Sequence, residues 1–86
     1  MQGEKNTYHS LIGKMIVTKE GKRLGFVADI TFEVSSGELI SLVVKDATGY
    51  AKNLNLETAS SGLLLIPFNA IIAIGDFVIV SEEDLI

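Results

Sequence analysis

The alternation between Leu24 and Val34 constrains this chain more than any other feature. Phe26, Ala28, Ile30, Phe32 and Val34 fall at every second position, interleaved with Val27, Asp29, Thr31 and Glu33. A period of two puts successive side chains on opposite faces of an extended strand, so one face reads as wholly apolar and the other as mostly polar. Ser35-Ser36-Gly37 then supplies a turn and Leu39 to Val44 resumes a β-rich run, which predicts an antiparallel hairpin. In that second run Leu39 and Val43 point away from Ile40, Leu42 and Val44. The strand is therefore apolar on both sides and is expected to be covered on both.

The remaining segments are shorter. Met15-Ile16-Val17 is a β-branched run that ends in the polar turn Thr18-Lys19-Glu20-Gly21-Lys22. Leu63 to Ile66 reads as a buried strand closed by Pro67, which has no N–H for a central ladder. Asn69 is a plausible N-cap and Gly75 a stop, so Ala70 to Ile74 is assigned a short helical turn. Phe77 to Val80 forms a last strand before an acidic end. Asp46 to Ser61 breaks the pattern, and Ala51 to Glu57 within it fits either a short strand or an irregular excursion.

With 86 residues and 48% apolar content the chain suits one domain with one core. It divides into a polar extension (1–10), a barrel (11–80) and an acidic tail (81–86). A domain this small buries a modest share of its surface, which makes oligomerisation a natural supplement. The absence of cysteine removes disulfides and thiolate metal sites and fits a reducing, cytoplasmic setting. No apolar run reaches the length of a membrane span, and the first residues lack a signal-peptide core, so no membrane insertion is expected. The formal charge of −4 opposes nucleic acid as a partner, because phosphate binding relies on clustered Lys and Arg.

Residues with chemical potential read as structural. His9 is the single histidine, and its neighbour Ser10 does not make a triad, which needs a nucleophile and an orienting acid converging in space. Asp29 and Glu33 share a strand face but lack the dense oxygen-donor loop of a calcium site, and read as solvated, with Asp29 available to tie down the backbone. Asp76 suits the turn after Gly75. No loop carries a phosphate-cradling pattern. No catalytic residue, cofactor or metal is expected. Lys14, Lys19, Lys22 and Arg23 form the basic cluster and are the candidate polar contacts to a partner. Glu82 to Ile86 reads as a frayed terminus in preference to a docking motif.

Several segments together resemble the PRC-barrel family in order and spacing. These are Gly13-Lys14-Met15-Ile16-Val17, then Gly21 with Leu24-Gly25-Phe26-Val27-Ala28-Asp29-Ile30, then Gly37 with Ile40 and Leu42-Val43-Val44, and lastly Ile66 to Val80. The resemblance covers about residues 11 to 80, and Asp46 to Ser61 matches no motif. It implies an all-β fold, a small PRC-type barrel of five or six mostly antiparallel strands with one short helical turn, used as a docking surface. The family includes the cytoplasmic domain of the photosynthetic reaction-centre H subunit, the C-terminal domain of the ribosome-maturation factor RimM, and short stand-alone archaeal and bacterial proteins. This chain resembles the last group.

Surplus apolar area is the remaining lead. Val27, Leu39 and Val43 lie opposite the assigned core face, and Leu63, Leu65, Phe77 and Ile79 add to that area in whichever parity faces outward, which predicts an oligomer interface there and a homodimer. The alternative is that residues 47–61 form a lid over that face. The expected function is a non-catalytic protein–protein interaction adaptor, in cell division or another cytoplasmic assembly. The alternative is an RNA-processing or ribosome-assembly accessory of RimM-like type.

Overall fold

The computed structural model describes residues 10–85. Six strands form one mixed sheet: β1 (Met15–Thr18), β2 (Arg23–Phe32), β3 (Leu39–Lys45), β4 (Leu64–Pro67), β5 (Ile71–Ile74) and β6 (Phe77–Val80). Their spatial order is β4-β3-β2-β1-β6-β5. Every pairing is antiparallel except that of β1 with β6. Among the described residues, helical structure is limited to α1 (Gly49–Lys52) and the 3₁₀ turns Phe68–Ala70 and Glu82–Asp84. The small all-β architecture expected from the sequence is what the chain adopts.

β2 is where the simple alternation fails. Ile16 faces Gly25 and Val17 faces Arg23, so Leu24 is an extra residue; Val27 faces Val44 and Asp29 faces Val43, which makes Ala28 a second. Each bulge bends the strand and resets which side chains point inward. Leu24 and Val27 thereby join the core and Ile30 packs against it, at intervals of three where the sequence suggested two. Of the five residues assigned to the core face, Ile30 alone packs on the core cluster. Val34 lies beyond the end of β2 and is 98% exposed.

The core comprises Leu11, Ile16, Leu24, Val27, Leu42, Val44, Ala51, Ile66, Ala70, Val78, Val80 and Leu85. Residues 47–61 close it as a lid. The Thr48 hydroxyl caps α1 by accepting the Ala51 N–H at 3.1 Å and donates to the Arg23 carbonyl at 2.7 Å. These bonds place Ala51 in the core, with Ala47, Tyr50, Leu54 and Leu56 packed against it. Beyond α1 the segment shields the outer edge of β4: Leu65 N–H donates to Glu57 C=O at 2.8 Å, and Thr58 bridges Leu64.

Two further expectations need correction. The helical turn expected over Ala70 to Ile74 is not there beyond Ala70. The helical turn is Phe68–Ala70, capped by no side chain, and Ile71–Ile74 is strand β5 paired with β6. Isoleucine branches at Cβ and favours the pleated surface, and Gly75-Asp76 gives the tight reversal that pairing requires. The acidic end is not frayed through Leu85. Ser81 N–H donates to Ala70 C=O at 2.8 Å, and Leu85 is buried in the core. Its apolar side chain anchors what the acidic residues alone would leave in solvent.

Gly25 is the tightest point of the sheet. Its φ is +149°, and a Cβ there would lie 2.6 Å from Val44 Cγ1 and 2.8 Å from the Lys45 carbonyl oxygen. The second contact is with backbone and cannot rotate away. We expect Gly25→Ala to destabilise the fold by roughly 2–4 kcal/mol through strain and overpacking. The midpoint of urea unfolding measures this, and a wild-type midpoint would show that the sheet tolerates a side chain there.

Candidate interaction surface

The side chains that face away from the core follow from register, because directly paired residues point to the same side. Ile16 and Val78 are in the core, so Met15, Val17, Phe77 and Ile79 face outward. Two cross-strand rows result. One runs Lys45, Phe26, Met15, Phe77; the other runs Arg23, Val17, Ile79, Ala73. Phe77 is 49% exposed, while Phe26, Met15, Val17 and Ile79 are half-buried. At about 4.8 Å per strand, four strands give an apolar strip about 14 Å across.

Cations frame this strip. Lys14 immediately precedes β1 and donates from Nζ to the Gly75 carbonyl at 2.6 Å, which ties β1 to the β5–β6 turn. At the other end of β1, Lys19 and Lys22 are exposed in the turn, and Arg23 opens β2 beside Val17. The four basic residues picked out in sequence thus bracket both ends of one short strand instead of converging on a point. Lys45, which sequence reasoning missed, stands at the end of the Phe26 row. Its signal was available only through the β2–β3 register.

The expected interface of Val27, Leu39 and Val43 is not a surface. Their exposures are 0%, 6% and 9%. The bulge at Ala28 puts Val27 in the core. Val43 does face outward, in register with Asp29 and Leu65, but its neighbours already cover it. The apolar surplus exists and lies elsewhere, on Phe77 and the rows around it.

The polar candidates have local roles. Asp29 Oδ1 accepts the Ile30 N–H at 2.8 Å, and Glu33 Oε2 accepts the Ser35 hydroxyl at 3.3 Å. Asp76 is exposed in a turn closed by the backbone, Gly75 N–H to Phe77 C=O at 2.9 Å. His9 lies outside the described residues. An open depression of about 440 Å³ is lined by Val44, Asp46, Ala47, Lys52, Gly62, Leu63 and Leu64. Its charged groups are one carboxylate and one ammonium, with no nucleophile beside a base. Among the described residues no three His, Cys, Asp or Glu side chains come together as metal ligands, and no helix is long and apolar enough to cross a membrane.

A match to the model of the PRC-barrel domain extends over residues 3–85. The chain belongs to the PRC-barrel family. It is also similar to an uncharacterised protein of Methanocaldococcus jannaschii, 30% identical over 82 residues, which covers 95% of this chain and 88% of that protein. The matched span of this PRC-barrel chain takes in the 47–61 lid and the Ser81–Leu85 end, both of which the structure ties to the core.

The lid and the C-terminal end meet at Tyr50. Its hydroxyl donates to Glu82 Oε2 at 2.5 Å, and Lys22 Nζ lies 5.4 Å from its ring centroid. The bond to the Glu82 carboxylate raises the Tyr50 pKa above its ordinary value of 10.0, with smaller contributions from burial and from the negative charges of Glu82 and Glu20. A phenol whose pKa is raised by folding stabilises the fold while it is protonated, and that contribution fades as pH climbs past the unfolded value. Ultraviolet titration should therefore find Tyr50 ionising later than a free tyrosine, and Glu82→Gln should bring it back down. An unchanged titration in that variant would remove the tether.

Proposed function

We propose that this PRC-barrel chain is a non-catalytic protein-interaction module, an adaptor in cell division or another cytoplasmic assembly, and that it docks its partner on the outer face of β2, β1 and β6. The observation that carries this reading is Phe77, half exposed at the β6 end of the Phe26–Met15–Phe77 row of an apolar strip that Arg23, Lys45 and Lys14 border, on a chain of net charge −4. Covering a half-exposed phenylalanine contributes roughly 1–2 kcal/mol, and aromatic and arginine side chains are the usual anchors of protein interfaces. The cations favour a partner whose contact surface is acidic around an apolar centre. A homodimer, also expected from the sequence, must draw on exposed residues of this kind, because Val27, Leu39 and Val43 are inside the fold.

The basic residues at both ends of β1 give the alternative, an RNA-processing or ribosome-assembly accessory, its supporting feature. One experiment separates the two. The tagged protein and its Phe77→Glu variant are used to capture partners from lysate with and without nuclease. Protein recovery that resists nuclease and falls about tenfold in the variant, the loss of one aromatic anchor, supports docking on this face. Recovery of RNA and ribosomal proteins that nuclease abolishes and Phe77→Glu leaves unchanged would replace it with the second reading.

A further inference from the structure

The β2–β3 hairpin projects a second exposed apolar feature. Its tip, residues 33–38, is held by Glu33 N–H to Glu38 C=O and Gly37 N–H to Glu33 C=O, both at 2.8 Å, and by Glu38 N–H to the Ser36 hydroxyl at 3.2 Å. On this fixed turn Val34 is 98% exposed, with Phe32 and Ile40 exposed beside it. Glu33 and Glu38 flank them, and Asp29 is exposed further along β2. The tip is therefore an apolar knob in an acidic frame.

The outer face is in part its converse, an apolar strip bordered by Arg23, Lys45 and Lys14, with Asp76 and Glu20 the acidic residues in its turns. We propose that copies of this chain associate head to tail, the hairpin tip of one seated on the outer face of the next. Val34, Phe32 and Ile40 cover Phe77, Met15 and Phe26, while Glu33 and Glu38 lie against Arg23, Lys14 and Lys45. The occupant is a second copy because one chain carries both halves of the match: opposite charge around apolar centres of similar kind. A rigid tip loses little conformational entropy on docking, which favours the contact. Because the two surfaces differ, the contact is heterologous. It leaves a free tip at one end of an open assembly and a free face at the other, and so extends to open chains, or closes into rings, in place of a two-fold dimer. This inference rests on the outer face being a docking surface and names one occupant for it.

The test is light scattering on size-exclusion peaks over a range of concentrations, at low and high salt, with circular dichroism as a check of folding. Wild-type protein is expected to grow in mass with concentration and to shrink with salt. Val34→Asp, which spoils the tip, and Phe77→Glu, which spoils the face, are each expected to weaken association by about tenfold or more. Mixed in equal amounts they are expected to form a species of two chains and nothing larger, since the intact face of the first accepts the intact tip of the second. A second set avoids apolar substitutions. Glu33→Lys with Glu38→Lys abolishes association, Arg23→Glu with Lys45→Glu abolishes it, and all four changes in one chain restore it.

A wild type that is monomeric at every concentration overturns the proposal, as does a mixture that stays monomeric while the wild type associates. Neither result touches partner capture through Phe77. That reading falls only if the Phe77→Glu variant captures as well as the wild type.

Discussion

Gly25 sets the geometry on which the rest of this structure depends. At that position β2 runs so close to Val44 and Lys45 of β3 that no side chain fits, and its φ of +149° is one that glycine adopts most easily. The bulge at Leu24 lies immediately before it and the bulge at Ala28 soon after. Together the three positions bend a ten-residue strand around the core. The same bend sends Leu24, Val27 and Ile30 inward, leaves Phe26 outward beside Met15, and carries the far end of β2 away to form the hairpin tip. Core, outer face and hairpin tip are thus three results of one backbone path.

The sequence disclosed elements well and faces poorly, and the reason is the same bend. Met15 to Val17, Leu39 to Val44 and Phe77 to Val80 are strands because β-branched and aromatic residues cluster between glycines, and these were legible. Alternation along β2 suggested that Val27 lies opposite the core, yet it is fully buried. Period-two reasoning assumes an unbroken pleat, and a bulge inverts it without changing composition. Ile71 to Ile74 was misread for a related reason: Asn69 and Gly75 are helix punctuation only where the intervening residues tolerate a helix, and isoleucines with a partner strand available do not.

The candidate surface was half legible. Lys14, Lys19, Lys22 and Arg23 could be named from sequence, but their arrangement at the two ends of β1 could not. Phe77 and Ile79 could be named from sequence as apolar surplus but not given a face, and Lys45 entered only through cross-strand register, which pairs residues from distant parts of the chain. Leu39 and Val43 misled because an apolar two-sided strand predicts cover without saying what provides it. Here the monomer covers them itself. The 47–61 segment, which matched no motif, closes the core and not the Leu39 and Val43 face over which a lid was expected, and it is positioned by Thr48 and anchored by Ala51.

The parallel pairing of β1 with β6 has a consequence for how the molecule is made. Met15 to Thr18 align with Phe77 to Val80, so strands from opposite ends of the described chain must meet before either is complete. Contacts of such long sequence separation require loop closure before they stabilise anything, and they slow folding. On a ribosome the β2–β3 hairpin can form early, whereas β1 and the outer face must wait until the last strand has emerged. The half-built molecule therefore displays its acidic hairpin tip before its own outer face exists, and that face is completed only when Phe77 to Val80 pair with Met15 to Thr18.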